Sequence, residues 1–405
     1  DDFTPGVKSI KAIWSFKRKR FPDGRLNKHK ARLCAHGGMQ QWGENYWETY
    51  SPVVNMLTVR LLLLVAKIHK LETKAIDFVL AFPQADLDVP IWMDLPIGFH
   101  VDGADEGSSS REYALSLNAN LYGLKQASYN WYEKLKTGLL DRNFVPSSID
   151  PCLYLLNPEG EANSKAISTR DGSERGSTVA RKSTVSNSSP KPLVRKSDMH
   201  STIRGDGMLC CTYVDDCILI GKSMAKINAF VKSMQDGPEN FLLTDEGDID
   251  KFLGIEITQL HANRFKIAQP FLIDRIVTFL GLQNNEFKVD TSERVTPVAK
   301  GGILHKDLRG KPRKKTWNYR TAVGMLTYLQ GNTRPEISMA VHQTARFCNN
   351  PMLSHEKAIT RIGRYLLHTK EEGIVYDPDK TKGLECYVDT NFAGGWLQAE
   401  ANNAE

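Results

Sequence analysis

Apolar and polar positions along the chain mark out a series of short elements. Residues 12–16 and 30–35 flank Phe21-Pro22-Asp23-Gly24, a turn signal, and predict a hairpin rich in cations. Residues 57–69 predict a helix with Thr58 as its cap. β-type residues around Ile76-Asp77-Phe78-Val79 predict a strand. In residues 122–143 a turn precedes a helix, and Trp131, Leu135 and Leu139 recur at i, i+4, i+8 to give it one apolar face. Residues 208–214 and 217–221 are apolar runs separated by Asp215-Asp216, which predicts a hairpin with acids at its tip. A helix over 225–234 follows, then a second hairpin from 252–259 and 264–269, turning at His261-Ala262-Asn263. Pro270 suits a first helical turn, with Ile273, Ile276, Val277 and Leu280 on one face and Gly281 as the stop. Three more helical patterns span 319–329, 336–347 and 355–368, and a final strand at 384–388 leads into Asp389.

Two stretches break this rhythm. Residues 158–206 are rich in Ser, Thr, Lys, Arg and Gly, and their composition predicts a disordered insertion inside a domain. Residues 300–320 are basic and poor in apolar side chains, which suits a linker or a nucleic-acid track.

Composition adds bounds. A chain of 405 residues suggests about two to three domains. With 41% apolar and 25% charged residues it is neither fibrous nor wholly disordered. The net charge of +6 permits a polyanionic partner. The seven cysteines include no C-x-x-C pair, and Cys210, Cys211 and Cys217 lie in strand-like runs. They read as reduced buried thiols, the alternative being a metal or redox role, and an intracellular setting is favoured. The longest apolar run, residues 61–66, falls far short of the ~20 residues that cross a bilayer. The expectation is a soluble intracellular fragment of a longer polypeptide.

Candidate chemistry lies in the acids. Asp215 and Asp216 repel each other and resist desolvation. An exposed turn would tolerate them. Asp77 ends a strand pattern, and if that strand pairs beside the hairpin, three carboxylates converge. Such a cluster suits Mg²⁺, a hard cation that takes carboxylate and phosphate oxygens.

The motifs carry a resemblance. Tyr213-Val214-Asp215-Asp216 resembles the signature of retroelement reverse transcriptases, and the surrounding motifs resemble a Copia-type (Pseudoviridae) retrotransposon Gag-Pol polyprotein. Those motifs are Lys28-His29-Lys30-Ala31-Arg32-Leu33, the run YWETYSPVV from Tyr46 to Val54, Asp77-Phe78-Val79-Leu80-Ala81-Phe82, and Leu121-Tyr122-Gly123-Leu124-Lys125-Gln126-Ala127. Phe252-Leu253-Gly254-Ile255, the helix start at Tyr319 and Thr333-Arg334-Pro335-Glu336-Ile337 continue the series in order.

The resemblance implies an α+β right-hand polymerase fold with fingers, palm and thumb and an antiparallel palm sheet. Fingers and palm would occupy 1–280, thumb and connection helices 281–375, and the truncated start of an RNase H-like domain 376–405, where Asp389 matches a first metal ligand. The implied function is RNA-directed DNA synthesis, the addition of dNTPs to a primer 3′-hydroxyl by two-metal phosphoryl transfer. Asp77, Asp215 and Asp216 match the catalytic metal ligands for two Mg²⁺, with Mn²⁺ as a substitute. Lys30 and Arg32 match contacts to the incoming triphosphate. Phe82 matches the ring that blocks a ribose 2′-hydroxyl, the alternative being a core phenylalanine. Gln126 matches a residue lining the nascent base pair, and Tyr213 and Val214 would lie against the primer end. Phe252, Leu253 and Gly254 match the primer grip, with the glycine allowing close backbone approach. Implied partners are an RNA template, a DNA or RNA primer, the RNA–DNA hybrid and dNTPs, with no membrane. The implied setting is a cytoplasmic virus-like particle whose product reaches the nucleus.

The rivals are a decayed, non-catalytic remnant that only binds nucleic acid and a metal-dependent nuclease. Two departures from the family pattern stand out. Pro83-Gln84-Ala85-Asp86-Leu87 replaces L-N-G-D-L, and Pro83 is expected to end strand pairing. Ser128-Tyr129-Asn130-Trp131 replaces P-R-x-W.

Overall fold

Alternating side chains make the two strands of the first hairpin, whose expected turn at 21–24 lies outside the described residues. In the computed structural model β1 (Ala12–Arg20) pairs antiparallel with β2 (Leu26–Ala35). The structure describes residues 8–20, 25–99, 113–156, 201–261, 263–283, 296–298 and 303–379. They fall into two compact units that meet at Ile249/Asp250.

In the first unit α1 (Met56–His69) is capped by Asn55, whose side chain accepts from the Leu57 N–H at 2.9 Å. Thr58, the expected cap, instead donates its hydroxyl to Asp150 at 2.6 Å. Both residue types can cap, and Asp150 draws Thr58 away. Next come β3 (Glu72–Phe78), α2 (Ala81–Gln84), β4 (Trp92–Asp94) and β5 (Ala114–Ser116), of which β4 and β5 pair. Pro83 sits inside α2, so it does not end strand pairing; β3 stops earlier, where Leu80 turns the backbone left-handed at φ 53°. The unit continues with α3 (Ala127–Leu140), β6 (Phe144–Pro146), β7 (Leu153–Leu156), β8 (Met208–Tyr213), β9 (Asp216–Gly221), α4 (Met224–Asp236) and β10 (Leu243–Gly247).

Six of these strands form one antiparallel sheet in the order β10-β3-β9-β8-β7-β6. Helices α3 and α4 cover one face. Ile76, Phe78, Cys217 and Leu219 pack there with Trp131, Leu135 and Leu139 of α3 and Ile227, Phe230 and Met234 of α4. Each such side chain contributes roughly 1.5–3 kcal/mol on burial, which holds the helices to the sheet. Cys152, Cys210, Cys211 and Cys217 are free thiols buried in this unit, and burial pushes Cys217 well above the usual thiol range.

Most of the expected disordered segment 158–206 lies outside the described residues, but its last residues are ordered. Residues 201–204 are helical, Thr202 is buried, and Asp206 pairs with Lys226 at 2.6 Å. Composition missed this because partners beyond the segment hold its end, Lys222 on the Arg204 carbonyl and Lys226 on Asp206.

In the second unit β11 (Lys251–Phe252), β12 (Ile255–Gln259), β13 (Phe265–Ala268) and β14 (Ile374–Tyr376) form a four-stranded sheet. The run expected as one strand over 252–259 is broken at Leu253-Gly254, both with positive φ (51° and 73°). Helices α5 (Pro270–Phe279), α6 (Tyr319–Asn332), α7 (Ser338–Ala345) and α8 (Leu353–His368) enclose the unit's core, where Ile273, Ile276 and Val277 meet Leu326, Leu329, Ile359 and Ile362. Because α5 packs into this core, the units divide at 249/250 and not at the sequence-based boundary of 280/281. In the basic stretch 303–318, Arg313 stacks on Trp317 at 4.4 Å and pairs with the buried Glu356, so this cation has a structural use. The expected strand at 384–388 and Asp389 lie outside the described residues. Among those residues no helix is long and apolar enough to cross a membrane.

Candidate active site

Strand alternation decides where the acids point. Ile76 and Phe78 face the helix-covered core, so Asp77 between them faces the other way. In the β3–β9 register Asp77 stands directly opposite Asp216, which puts both carboxylates on one face. The Phe78 N–H donates to the Asp215 carbonyl at 2.8 Å, so the third acid is held at the same corner. Tyr213 pairs with Asp216 across a two-residue turn, Val214-Asp215. Val214 has φ 54°, a strained conformation for a β-branched residue. Its carbonyl accepts from the Trp131 indole N–H at 2.6 Å, and its side chain packs on the core. Trp131 thus clamps the acidic turn from below.

The corner is electrostatically costly. Burial, then the charges of Asp215, Asp77 and Glu246, push the Asp216 carboxyl up to about 6. The donor set suits a hard divalent cation, since these are acceptor-only oxygens whose repulsion a cation relieves. Among the described residues no three His, Cys, Asp or Glu side chains already form a metal-holding group. The corner is a charge cluster, not a finished cage.

Arg32 and Lys30 share one face of β2, as their alternation requires. Lys30 lies opposite Lys17, and Arg32 opposite Ser15. Two facing lysines repel unless an anion comes between them. The Arg32 guanidinium lies 4.9 Å from the centre of the Tyr122 ring, and its buried Nε has no hydrogen-bond partner. Burial raises the Tyr122 phenol, with Arg32 opposing and Asp215 and Asp77 adding to the rise, so cation, phenol and acids share one electrostatic neighbourhood. Phe82, half-buried in α2, lies 5.1 Å from Tyr122, ring centre to ring centre. It is wedged between two hydrophobic clusters while remaining partly open.

Gln126 departs from the expected contact with a base pair. It is fully buried, its Oε1 accepts from Gln40 Nε2 at 2.9 Å and its Nε2 donates to the Asn45 carbonyl at 2.9 Å. Both ends of the amide are used, so Gln126 anchors the loop that contains Gln40 and Asn45. Phe252, Leu253 and Gly254 belong to the second unit. Phe252 is buried, and the Leu253 carbonyl accepts from the Tyr328 hydroxyl at 2.8 Å. A Cβ on Gly254 would meet nothing within 4 Å, so its φ of 73°, not a close approach, calls for glycine.

Sequence reasoning missed the Trp131 clamp and the Tyr122 ring that meets both Arg32 and Phe82. A tryptophan in an apolar stripe must satisfy its N–H, and that requirement was the available signal for Trp131. For Tyr122 the signal was Gly123, whose φ of 97° fixes the corner beside it. Trp131→Phe leaves the Val214 carbonyl without its partner and is expected to cost about 1–2 kcal/mol. Heat unfolding checks this, and an unchanged midpoint would show that the clamp is idle.

The profile of the family described as "Reverse transcriptase (RNA-dependent DNA polymerase)" matches residues 2–167 and 184–293, more than half the chain. The chain belongs to the reverse transcriptase family. The chain is similar to Pol polyproteins of Copia-type retrotransposons. It is 28% identical over 398 residues to the retrovirus-related Pol polyprotein from transposon TNT 1-94 of Nicotiana tabacum, covering 96% of this chain and 25% of that protein. With the Pol polyprotein from transposon RE1 of Arabidopsis thaliana it shares 29% identity over 381 residues, 94% of this chain and 22% of that one. The putative transposon Ty5-1 protein of Saccharomyces cerevisiae is 25% identical over 311 residues, 77% of this chain and 81% of that protein. The chain therefore spans about a quarter of the length of the plant polyproteins it matches. The break in the family match, between 167 and 184, falls in the stretch joining β7 to β8.

Proposed function

We propose that this chain is the RNA-directed DNA polymerase of a Copia-type retrotransposon, adding dNTPs to a primer 3′-hydroxyl on an RNA template. The carrying observation is the register that sets Asp77 opposite Asp216 with Asp215 tied to Phe78. A fold that spends stability on facing acids has a use for them.

In this reading the six-stranded sheet is the palm and the β1–β2 hairpin belongs to the fingers. The helices of the second unit serve as thumb and connection. Asp77, Asp215 and Asp216 hold divalent cations. Bound Mg²⁺, or Mn²⁺ in its place, supplies Lewis acidity for displacement at the α-phosphate. Lys30 and Arg32 receive the triphosphate of the incoming dNTP. The unpartnered Arg32 Nε supports this, since the guanidinium gains from an anion. Phe82 presents its ring to the sugar and disfavours a 2′-hydroxyl by contact. Tyr213 and the clamped Val214 support the primer end, and the Leu253-Gly254 turn supports the primer strand. The synthesis would take place in a cytoplasmic particle, with the DNA product passing to the nucleus.

The test is dTTP incorporation on poly(rA)–oligo(dT) with Mg²⁺, beside Asp77→Asn. Incorporation that the variant lacks is the expected result. Equal incorporation by both, or none by a folded protein that binds the template–primer, would overturn the reading.

A further inference from the structure

Between the two groups assigned to sugar and triphosphate lies a third side chain, Tyr122. Its ring carries the Arg32 guanidinium on its face at 4.9 Å and meets the Phe82 ring at 5.1 Å with the planes inclined at 49°. One aromatic ring therefore touches both the cation of β2 and the ring of α2. No other described side chain stacks on both.

The backbone makes this ring a fixed strut. The Tyr122 carbonyl accepts from the Ala35 N–H, at the end of β2, at 2.8 Å. Gly123 follows with φ 97°, and a Cβ there would come within 2.2 Å of the Ala35 carbonyl oxygen. The corner is thus wedged against the same strand that carries Arg32. Phe82 stands at the start of the short helix after Asp77. A change of ring position would move the sugar-facing ring and the phosphate-facing cation relative to each other.

We infer that Tyr122 is a positioning residue for nucleotide selection, holding the Phe82 ring against the sugar edge of the incoming nucleotide while its face seats Arg32. The inference rests on the polymerase reading above and deepens it. The ring does this work, so Phe at 122 preserves it and Ala does not. With the strut gone, Phe82 can withdraw from the 2′ position and Arg32 loses its seat.

The experiment compares wild type, Tyr122→Phe and Tyr122→Ala, each shown by circular dichroism and heat unfolding to be folded. The first arm measures kcat/KM for dTTP and for UTP on poly(rA)–oligo(dT). In Tyr122→Ala the preference for dTTP over UTP is expected to fall about tenfold, with the dTTP loss appearing mainly in KM. Tyr122→Phe keeps the wild-type preference. An equal fall for both nucleotides in Tyr122→Ala, with the preference unchanged, would overturn the inference, since general loosening does exactly that. So would a Tyr122→Phe variant that behaves like Tyr122→Ala. The second arm needs no chemistry: dTTP and UTP are titrated onto the protein with template and a dideoxy-terminated primer. A wild type that incorporates nothing sinks the polymerase reading, and this arm still decides the inference. Preferential dTTP binding that is lost in Tyr122→Ala supports it. Equal preference in both proteins, or no nucleotide binding by wild type, overturns it.

Discussion

Asp216→Asn is expected to abolish dTTP incorporation while making the folded protein more stable at pH 7, by about 1 kcal/mol. An unfolded aspartate ionises near 4, whereas the folded Asp216 carboxyl is held up to about 6 by burial and by Asp215, Asp77 and Glu246. As pH rises from about 4 to about 6, the unfolded chain gives up a proton that the folded chain still holds. The stability associated with neutral Asp216 is therefore complete below pH 4 and gone above pH 6. The whole shift would correspond to about 3 kcal/mol. Asp216 is only half-buried, so solvent screening reduces this to about 1. Asparagine has nothing to ionise and escapes the loss. Melting curves of the two proteins at pH 4.5 and 7.5 check this: their midpoints converge at the lower pH and separate at the higher. Added Mg²⁺ at pH 7.5 is expected to raise the wild-type midpoint more than the variant's. Parallel pH curves and an equal Mg²⁺ response would remove the charge corner from the account.

Arg334→Ala is expected to cost the second unit about 3 kcal/mol. Arg334 is 1% exposed, among the most deeply buried charged side chains described. Its Nη1 donates to the Thr369 carbonyl at 2.8 Å and its Nη2 to the Thr369 hydroxyl at 2.6 Å. Glu336 and Glu372 neutralise it from the rim, and the Tyr365 ring lies 5.6 Å below. This one fork ties the turn after α6 to the end of α8. Truncation takes one hydrogen bond from the Thr369 carbonyl and one from its hydroxyl, and opens a cavity under Tyr365. Lysine cannot reproduce the planar fork, so Arg334→Lys recovers only part of the loss. Hydrogen exchange at the Thr369 and Glu372 amides reports it locally, because the Glu372 N–H donates to the same Thr369 carbonyl. Protection equal to wild type in Arg334→Ala would mean the fork holds nothing.

Local signals predicted the elements that local physics controls. The α3 stripe of Trp131, Leu135 and Leu139 is buried as its spacing required. Pro270 opens α5, and Gly281, with φ 68°, follows its end. The acidic turn lies between β8 and β9 as the apolar runs implied. What sequence could not give is the partner of each element. That Asp77 faces Asp216 depends on strand register between segments far apart in the chain. Asn55 displaced Thr58 as a cap because Asp150 captures the threonine. Gln126 looked available in its motif, yet Gln40 and Asn45 occupy both ends of its amide. Arg334 sat in a polar turn sequence that gave no sign of burial, since arginine is rarely inside without partners supplied from elsewhere.

Leu156 pairs with Met208, so the chain leaves the sheet at the last residue of β7 and re-enters it on the adjoining rung of β8. A Cβ on Gly207 would come within 2.4 Å of the Leu156 carbonyl oxygen, so the two ends already lie close together. A short linker could join Leu156 to the ordered residues 201–207, whose Asp206 pairs with Lys226. Closing the shorter loop would save about 1 kcal/mol of chain entropy. The length from 157 to 200 is therefore an editable segment of the gene: it can be trimmed, or replaced by a reporter peptide, while the rungs on either side keep the acidic corner in register.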